Sequence, residues 1–229
     1  MVERNLKGDV TPVDEAKAAD AGSPYRELYH DAEAYLAALD ADWAGLVAEV
    51  GPCGHVPKPA HAPYEELIRA IAYQQLHVKA GDAILARFRR LYDEGGFPSP
   101  EQVLATPFEA LRGCGFSGRK IETIQAIAEG TLTGRVPGRE AAERMADEEL
   151  IASLVGIRGI GRWTVEMLLI YGFARMDILP ADDLGVREGY KRLKGLDKAP
   201  TPKALGAIAQ EWRPFRTVAS WYLWRVPRR

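Results

Sequence analysis

Two adjacent carboxylates, Asp182 and Asp183, are the residues of this sequence best suited to a catalytic role. They follow Pro180, and the pattern from Leu184 to Leu193 predicts a helix that starts beside them. An aspartate at a helix start commonly caps it by accepting hydrogen bonds from free N–H groups. One carboxylate is enough for capping, so we interpret the second as facing a cleft, where it can stabilise developing positive charge or take a proton from water. Asp182 and Asp183 are both candidates for that role, because a shift of one residue exchanges them.

A glycine-rich turn precedes these acids. Gly156, Gly159 and Gly161 interrupt an apolar segment, and Arg162 then begins a helical pattern that extends to Phe173. We therefore predict a helix, a tight turn and a second helix, with the hairpin at 154–164. Glycines at 159 and 161 permit positive φ, and the N–H groups of such a turn suit a phosphate. On the glycines alone, an ordinary helix–helix turn is an equally good interpretation.

The order of these features resembles the helix-hairpin-helix DNA glycosylases, in particular the 3-methyladenine DNA glycosylase II (AlkA-like) branch. The resemblance rests first on IRGIGRWT at 157–164 and LPADDLGVR at 179–187. It is supported by IAYQQL at 71–76, LRGCGFSGRKIETI at 111–124 and EWRPFRTVASWYLW at 211–224. It covers roughly Pro63 to Trp224.

The resemblance implies a DNA-3-methyladenine glycosylase, a hydrolase of N-glycosyl compounds that acts in base excision repair. Such an enzyme flips an alkylated base out of the duplex, since the base cannot be reached inside the stack. Breaking the N-glycosidic bond develops positive charge on the sugar, and Asp183 would stabilise that oxocarbenium-like transition state, activate water, or both. Which alkylated bases are accepted stays open.

The resemblance also implies the contacts with double-stranded DNA. The end of the helix at 64–76 would enter the minor groove, where Gln75 or Leu76 fills the gap left by the flipped base. The candidate DNA-binding residues are Gln74, Gln75, Leu76, Arg158, Gly159, Gly161, Arg162 and Thr164. Lys120, in the turn GCGFSGRK, either meets the DNA backbone or belongs to a plain helix connection. A structural sodium or potassium ion at the hairpin carbonyls of Gly156 and Gly159 is implied, and no other cofactor.

Aromatic residues supply candidate walls for a base pocket. Alkylation at ring nitrogens gives a purine positive charge, which an aromatic face attracts by stacking and cation–π interaction. Trp163, directly after the hairpin, is the first candidate. Tyr73, Trp221 and Trp224 are further candidates that fit a hydrophobic core equally well. Relatives that also cut the strand carry a lysine at the position of Trp163, so the resemblance implies a monofunctional enzyme without a Schiff-base nucleophile.

Composition limits the alternatives. The 229 residues are 47% apolar and contain no run of about 18 apolar residues, so the sequence predicts no membrane segment. The polar N-terminal residues lack the apolar stretch of a secretion signal, which predicts a cytoplasmic protein. Two cysteines and four histidines show no ligand spacing, so we expect no catalytic metal. The net charge of -2 is not that of a typical nucleic-acid binder, and we rely on a local basic cluster around the hairpin.

No alternating strand pattern occurs, so we predict an all-α fold with two helical lobes flanking a DNA-binding and active-site cleft. We expect a poorly ordered tail at 1–23, N-terminal helices and a linker at 24–62 that pack on the core, and the glycosylase core at 63–229. The best-known bacterial relatives carry a β-rich domain before the core, whereas a compact form is expected here. We also expect a monomer.

Three other functions fit parts of the pattern. The first is a helix-hairpin-helix module that binds DNA without catalysis. The second is a glycosylase for oxidised or deaminated bases, including a bifunctional glycosylase-lyase, which Trp163 disfavours. The third is an α-helical interaction protein with a coincidental hairpin. Loss of base release but not of DNA binding in Asp183→Asn would argue against the first. Trapping of a Schiff base with borohydride tests for the glycosylase-lyase, and salt-dependent binding to duplex DNA would argue against the third.

Overall fold

The computed structural model describes residues 25–57, 61–76, 78–92 and 96–227. Within those ranges the secondary structure is helical and contains no strand, which confirms the all-α prediction. None of the helices in this part of the chain is long and apolar enough to cross a membrane. The tail predicted at 1–23 lies outside the described residues.

The helices follow one another in short segments joined by tight turns. In chain order they are α1 (Arg26–Ala37), α2 (Ala41–Val50), α3 (Pro63–Tyr73), α4 (Val78–Arg90), α5 (Pro100–Ala105), α6 (Phe108–Gly113), α7 (Gly118–Leu132), α8 (Arg139–Arg144), α9 (Asp147–Val155), α10 (Arg162–Met167), α11 (Leu184–Leu193), α12 (Pro202–Ile208) and α13 (Arg216–Leu223). A π-helical turn at Leu168–Gly172 continues α10, and a 3-10 turn at Ala209–Trp212 continues α12.

The chain divides into two compact units. Among the described residues, the first unit spans 61–168, and the second combines 25–57 with 169–227. The sequence predicted N-terminal helices packed on a core at 63–229, and the helices at the two ends of the chain share a unit. They share a unit because α1 and α2 pack against α13, which buries the apolar faces of these helices against one another.

The first unit is organised around α7, which packs against α3, α5 and α6. Ile121, Ile124 and Ile127 recur at helical spacing and are fully buried, which gives α7 a continuous apolar face. Ser117 caps the helix by accepting a hydrogen bond from the N–H of Lys120 at 3.3 Å. The hairpin helices α9 and α10 belong to this unit.

The second unit is organised around α13, in which every residue from Thr217 to Leu223 is buried. The helix packs against α1, α2 and α11. Trp43 of α2 and Trp212 meet edge to face with ring centroids 5.3 Å apart, an arrangement that favours aromatic pairs. This core supports α11, the helix that starts at the candidate catalytic acid.

A buried histidine lies in the second unit. His55 is 4% exposed, and its Nε2 lies 3.2 Å from the carbonyl oxygen of Ile170. The rings of Tyr29 and Tyr171 have centroids 5.8 and 5.0 Å from the His55 ring. Burial lowers the pKa of His55 from 6.5 to about 4, because a protonated ring loses its hydration there. The folded protein therefore holds this histidine neutral.

This neutral histidine predicts a loss of stability in mild acid. Between pH 6.5 and 4 the unfolded chain protonates His55 and the folded chain does not, so the free energy of unfolding falls as the pH is lowered through that window. The expected loss is on the order of 3 kcal/mol. Urea unfolding at a series of pH values measures it, and His55→Gln should flatten this part of the curve. Parallel curves for wild type and His55→Gln would contradict the assignment.

Candidate active site

Asp183 is buried at the start of α11. Its side chain caps the helix, since Oδ1 accepts a hydrogen bond of 2.8 Å from the N–H of Val186. The same Oδ1 accepts a second hydrogen bond of 2.9 Å from the indole N–H of Trp224. Asp183 is 4% exposed, whereas Asp182 is exposed. The expectation that one acid caps and the other faces a cleft is therefore wrong, because a single carboxylate is both the cap and the buried acid.

Two glycines of α11 bring this tryptophan to the acid. A Cβ on Gly189 would overlap the carbonyl oxygen of Leu223 and lie 2.7 Å from its carbonyl carbon, so glycine lets α11 touch the backbone of α13. A Cβ on Gly185 would lie 3.0 Å from the indole Cδ1 of Trp224. Neither glycine was predicted from the sequence as part of the site, although glycines four residues apart on a predicted helix indicate a close helix contact.

Two of the three tryptophans predicted for the base pocket lie in the second unit and differ in their surroundings. Trp224 is half-buried and directs its indole N–H to Asp183. Trp221 is 4% exposed, with the guanidinium of Arg225 3.7 Å above its ring and the ring of Tyr222 edge-on at 5.0 Å. Trp221 is therefore a core residue and not a wall of an open pocket.

The two remaining aromatic candidates lie in the first unit. Tyr73 packs its ring on Gly81, and its hydroxyl donates a hydrogen bond of 2.6 Å to Asp82. These contacts join the end of α3 to α4. Helix packing therefore explains the position of Tyr73, and no role in a base pocket is needed. Trp163 is half-buried in the first turn of α10 and stays a candidate for base binding.

The predicted hairpin is present. Helix α9 ends at Val155, residues 156–161 form the turn, and α10 starts at Arg162. Gly159 uses the positive φ that glycine permits, at +87°, whereas Gly161 has φ -91°, which other residues can also adopt. A Cβ on Gly159 would overlap Oγ1 of Thr123 and lie 2.9 Å from its Cβ, which packs the turn closely on α7.

Gly159→Ala should therefore destabilise the protein by about 2 kcal/mol or more, since it combines a strained φ with a clash against Thr123. Gly161→Ala is a matched control in the same turn. A Cβ at Gly161 meets nothing within 4 Å, so we expect a change within about 0.5 kcal/mol. Urea unfolding compares the two variants, and equal losses of stability would contradict this account.

The charged side chains of the hairpin are paired with carboxylates. Arg158 is exposed and lies 2.8 Å from Glu122, while Arg162 lies 2.6 Å from Glu148 and 2.9 Å from Glu166. The carboxylate of Glu148 holds the pKa of Arg162 above its usual value. A phosphate would have to compete with these carboxylates for both arginines.

Two residues assigned to the hairpin site do not fit their roles. Thr164 is 4% exposed, because it lies on the inner face of α10, so its side chain cannot contact DNA as predicted. The carbonyl oxygen of Gly156 accepts a hydrogen bond of 3.2 Å from the guanidinium of Arg135. A sodium or potassium ion on that oxygen would be repelled by the guanidinium, so Gly156 does not suit a cation. In the described part of the chain, no group of three or more His, Cys, Asp or Glu residues could hold a metal.

The segment predicted to enter the minor groove forms a turn. The helix predicted to reach Leu76 ends at Tyr73, and Gln74 leaves it with φ -50° and ψ 127°. Gln75 is exposed with φ 60°, a left-handed conformation that is uncommon for residues with a Cβ. Leu76 is half-buried, and its N–H donates to the carbonyl oxygen of Tyr73 at 3.1 Å.

Comparison with known proteins identifies the family. Residues 68–214 match the model for the HhH-GPD superfamily base excision DNA repair protein. DNA-3-methyladenine glycosylase 1 of Schizosaccharomyces pombe is 50% identical over 198 residues, which cover 85% of this chain and 86% of that protein. The alkylbase DNA glycosidase-like protein mag2 of the same yeast is 40% identical over 201 residues, or 87% of this chain and 94% of that protein.

A solved structure agrees with these sequence relatives. The S. pombe 3-methyladenine DNA glycosylase Mag1 in complex with abasic DNA is 49% identical and superposes with a TM-score of 0.75 over 85% of this chain and 95% of that chain. The family match, the sequence identity and the shared fold agree with the all-α fold and the hairpin described above. The chain belongs to the HhH-GPD superfamily of base excision DNA repair proteins.

Proposed function

We propose that this protein is a monofunctional DNA glycosylase that excises alkylated bases of the 3-methyladenine type from double-stranded DNA. The observation that carries the proposal is the buried Asp183, whose Oδ1 is fixed by two N–H donors at the start of α11. The 50% identity to a protein named DNA-3-methyladenine glycosylase supports the substrate class.

Asp183 supplies the negative charge that the reaction requires. As the N-glycosidic bond breaks, positive charge develops on the sugar, and a nearby carboxylate stabilises it more in the transition state than in the ground state. The hydrogen bonds from Val186 and Trp224 fix the carboxylate before the substrate arrives, so little reorganisation is needed during the reaction. Burial strengthens this electrostatic effect by excluding water. The same carboxylate can orient or deprotonate the attacking water.

The flipped base is bound by aromatic side chains. We propose Trp224, which is half-buried beside Asp183, for this role. Trp163, at the start of α10, is the candidate that the resemblance implies. An alkylated purine carries positive charge, which an aromatic face attracts by about 0.5–2 kcal/mol per contact. Because Trp163 replaces the lysine of strand-cutting relatives, the proposed product is an abasic site in an intact strand.

The hairpin binds the DNA backbone. We propose that the N–H groups of Gly159 and Gly161 contact a phosphate, and that Arg158 and Arg162 exchange their carboxylate partners for DNA. The turn at 74–76 fills the space left by the base through Gln75 or Leu76. A monovalent cation at the hairpin would use the carbonyl oxygen of Gly159 and not that of Gly156. We propose that the protein acts as a cytoplasmic monomer.

The test is the release of free bases from methylated duplex DNA, with the products identified by mass. We expect 3-methyladenine to be released and the strand to stay uncut until the abasic site is cleaved by alkali. DNA binding without release of any base would instead indicate a non-catalytic module. A covalent adduct trapped by borohydride would indicate a glycosylase-lyase.

A further inference from the structure

The turn that follows α3, residues 74–76, has an unusual backbone. Gln74 leaves the helix in an extended conformation, and Gln75 then adopts φ 60°. Such a conformation is unfavourable for a residue with a Cβ, and it persists when surrounding contacts stabilise it. The contact that stabilises this turn comes from a distant part of the sequence.

Lys120 provides that contact. From the first turn of α7, its Nζ donates hydrogen bonds to the carbonyl oxygen of Ala72 at 3.0 Å and to that of Gln74 at 2.8 Å. The last carbonyls of a helix have no partner within the helix, and a cation there also interacts favourably with the helix dipole. The ammonium therefore bridges the end of α3 and the first residue of the turn.

The geometry disfavours the simplest alternative for Lys120, a direct contact with the DNA backbone. An ammonium has three hydrogen-bond donors, and the two carbonyls take two of them. The side chain is half-buried, whereas the neighbouring Arg119 is exposed. Loss of Lys120 would leave two carbonyl oxygens without this donor and remove the support for the conformation of Gln75.

We propose that Lys120 is a positioning residue that holds the 74–76 turn in the conformation in which Gln75 or Leu76 fills the gap left by the flipped base. The proposal rests on the function proposed above, and it assigns to Lys120 an action on the protein backbone. Lys120 would therefore influence insertion into the DNA without touching it.

The first experiment compares Lys120→Met with Arg119→Met, which removes an adjacent exposed positive charge without breaking a contact to the turn. The probe is duplex DNA with 2-aminopurine opposite a tetrahydrofuran abasic analogue, because the fluorescence of 2-aminopurine reports stacking in the gap. At saturating protein, Lys120→Met should lose most of the fluorescence change, and its single-turnover rate of base release should fall about tenfold. Arg119→Met should match the wild type in both measurements.

The salt dependence of DNA binding separates positioning from phosphate contact. A residue that neutralises a phosphate lowers the slope of log affinity against log salt by about 1 when it is removed. We expect Lys120→Met to keep the wild-type slope. A reduced slope for Lys120→Met, or equal losses of base release in the two variants, would overturn the proposal.

A double-mutant cycle distinguishes positioning from a general loss of stability. In a Gln75→Ala/Leu76→Ala background the turn has no side chain to insert, so adding Lys120→Met should lower base release little further. Lys120→Arg, which keeps the charge and the donors, should recover part of the wild-type rate. A full additional tenfold loss in the double-alanine background would overturn the inference. If the wild type itself releases no base, the proposed function has failed, whereas wild-type release that Lys120→Met does not change refutes the inference alone.

Discussion

Asp183→Asn should lower the single-turnover rate of base release by about a hundredfold to a thousandfold. Asparagine preserves the size of the side chain, and its amide oxygen can still accept the hydrogen bonds from Val186 and Trp224. Asparagine is also a good helix cap, so α11 should stay intact. The variant therefore loses the negative charge and little else, and DNA affinity should change little.

Asp182→Asn is the matched control. It makes the same chemical change at the adjacent residue, whose side chain is exposed. We expect wild-type release of 3-methyladenine from this variant and urea unfolding curves that coincide with those of the wild type. Substantial base release by Asp183→Asn, or a large loss in Asp182→Asn, would show that the acid has been assigned to the wrong residue.

Gly189→Ala should destabilise the protein by about 3 kcal/mol or more, because the new methyl group would overlap the backbone carbonyl of Leu223. A backbone group cannot rotate away as a flexible side chain can, so α11 and α13 must separate. Trp224 directly follows Leu223 and donates to Asp183, and the separation should therefore also lower base release. Urea unfolding and single-turnover kinetics measure the two effects.

Gly206→Ala provides the comparison for a glycine within a helix. An added Cβ at Gly206 of α12 meets nothing within 4 Å, and alanine favours a helix by up to about 1 kcal/mol over glycine. This variant should be as stable as the wild type or more so. If Gly189→Ala proved equally harmless, the contact between α11 and α13 would not be what brings Trp224 to the acid.

Local signals in the sequence predicted some elements well. Helix α11 has the predicted bounds, because Pro180 ends the preceding segment and Asp183 supplies a strong cap. The hairpin was predicted for a similar reason, since glycines mark the turn and an apolar pattern marks the helix after it. The end of α3 was predicted three residues too late because the ammonium of Lys120, far away in sequence, stabilises a turn there.

Tertiary packing determines which side chains face the candidate site, and the sequence alone does not reveal that packing. Trp221 and Trp224 lie three residues apart, and from the sequence alone they are equally good candidates for a base pocket. Arg225 covers the ring of Trp221, whereas Trp224 follows the last residue of α13 and reaches Asp183. Likewise, Thr164 follows the predicted DNA-binding turn but faces inward, because the direction of a side chain on a short helix depends on what the helix packs against.

The discontinuous second unit has a consequence for synthesis on the ribosome. Helices α1 and α2 emerge early, yet their packing partner α13 is among the last segments to be made. Among the described residues the first unit is one continuous segment, so we expect it to fold during translation, before α1 and α2 can pack against α13. Limited proteolysis of ribosome-bound chains stalled near residue 200 should find the first unit protected and α1 still cleavable. The hairpin of the first unit would thus be folded before the unit that carries Asp183 is complete.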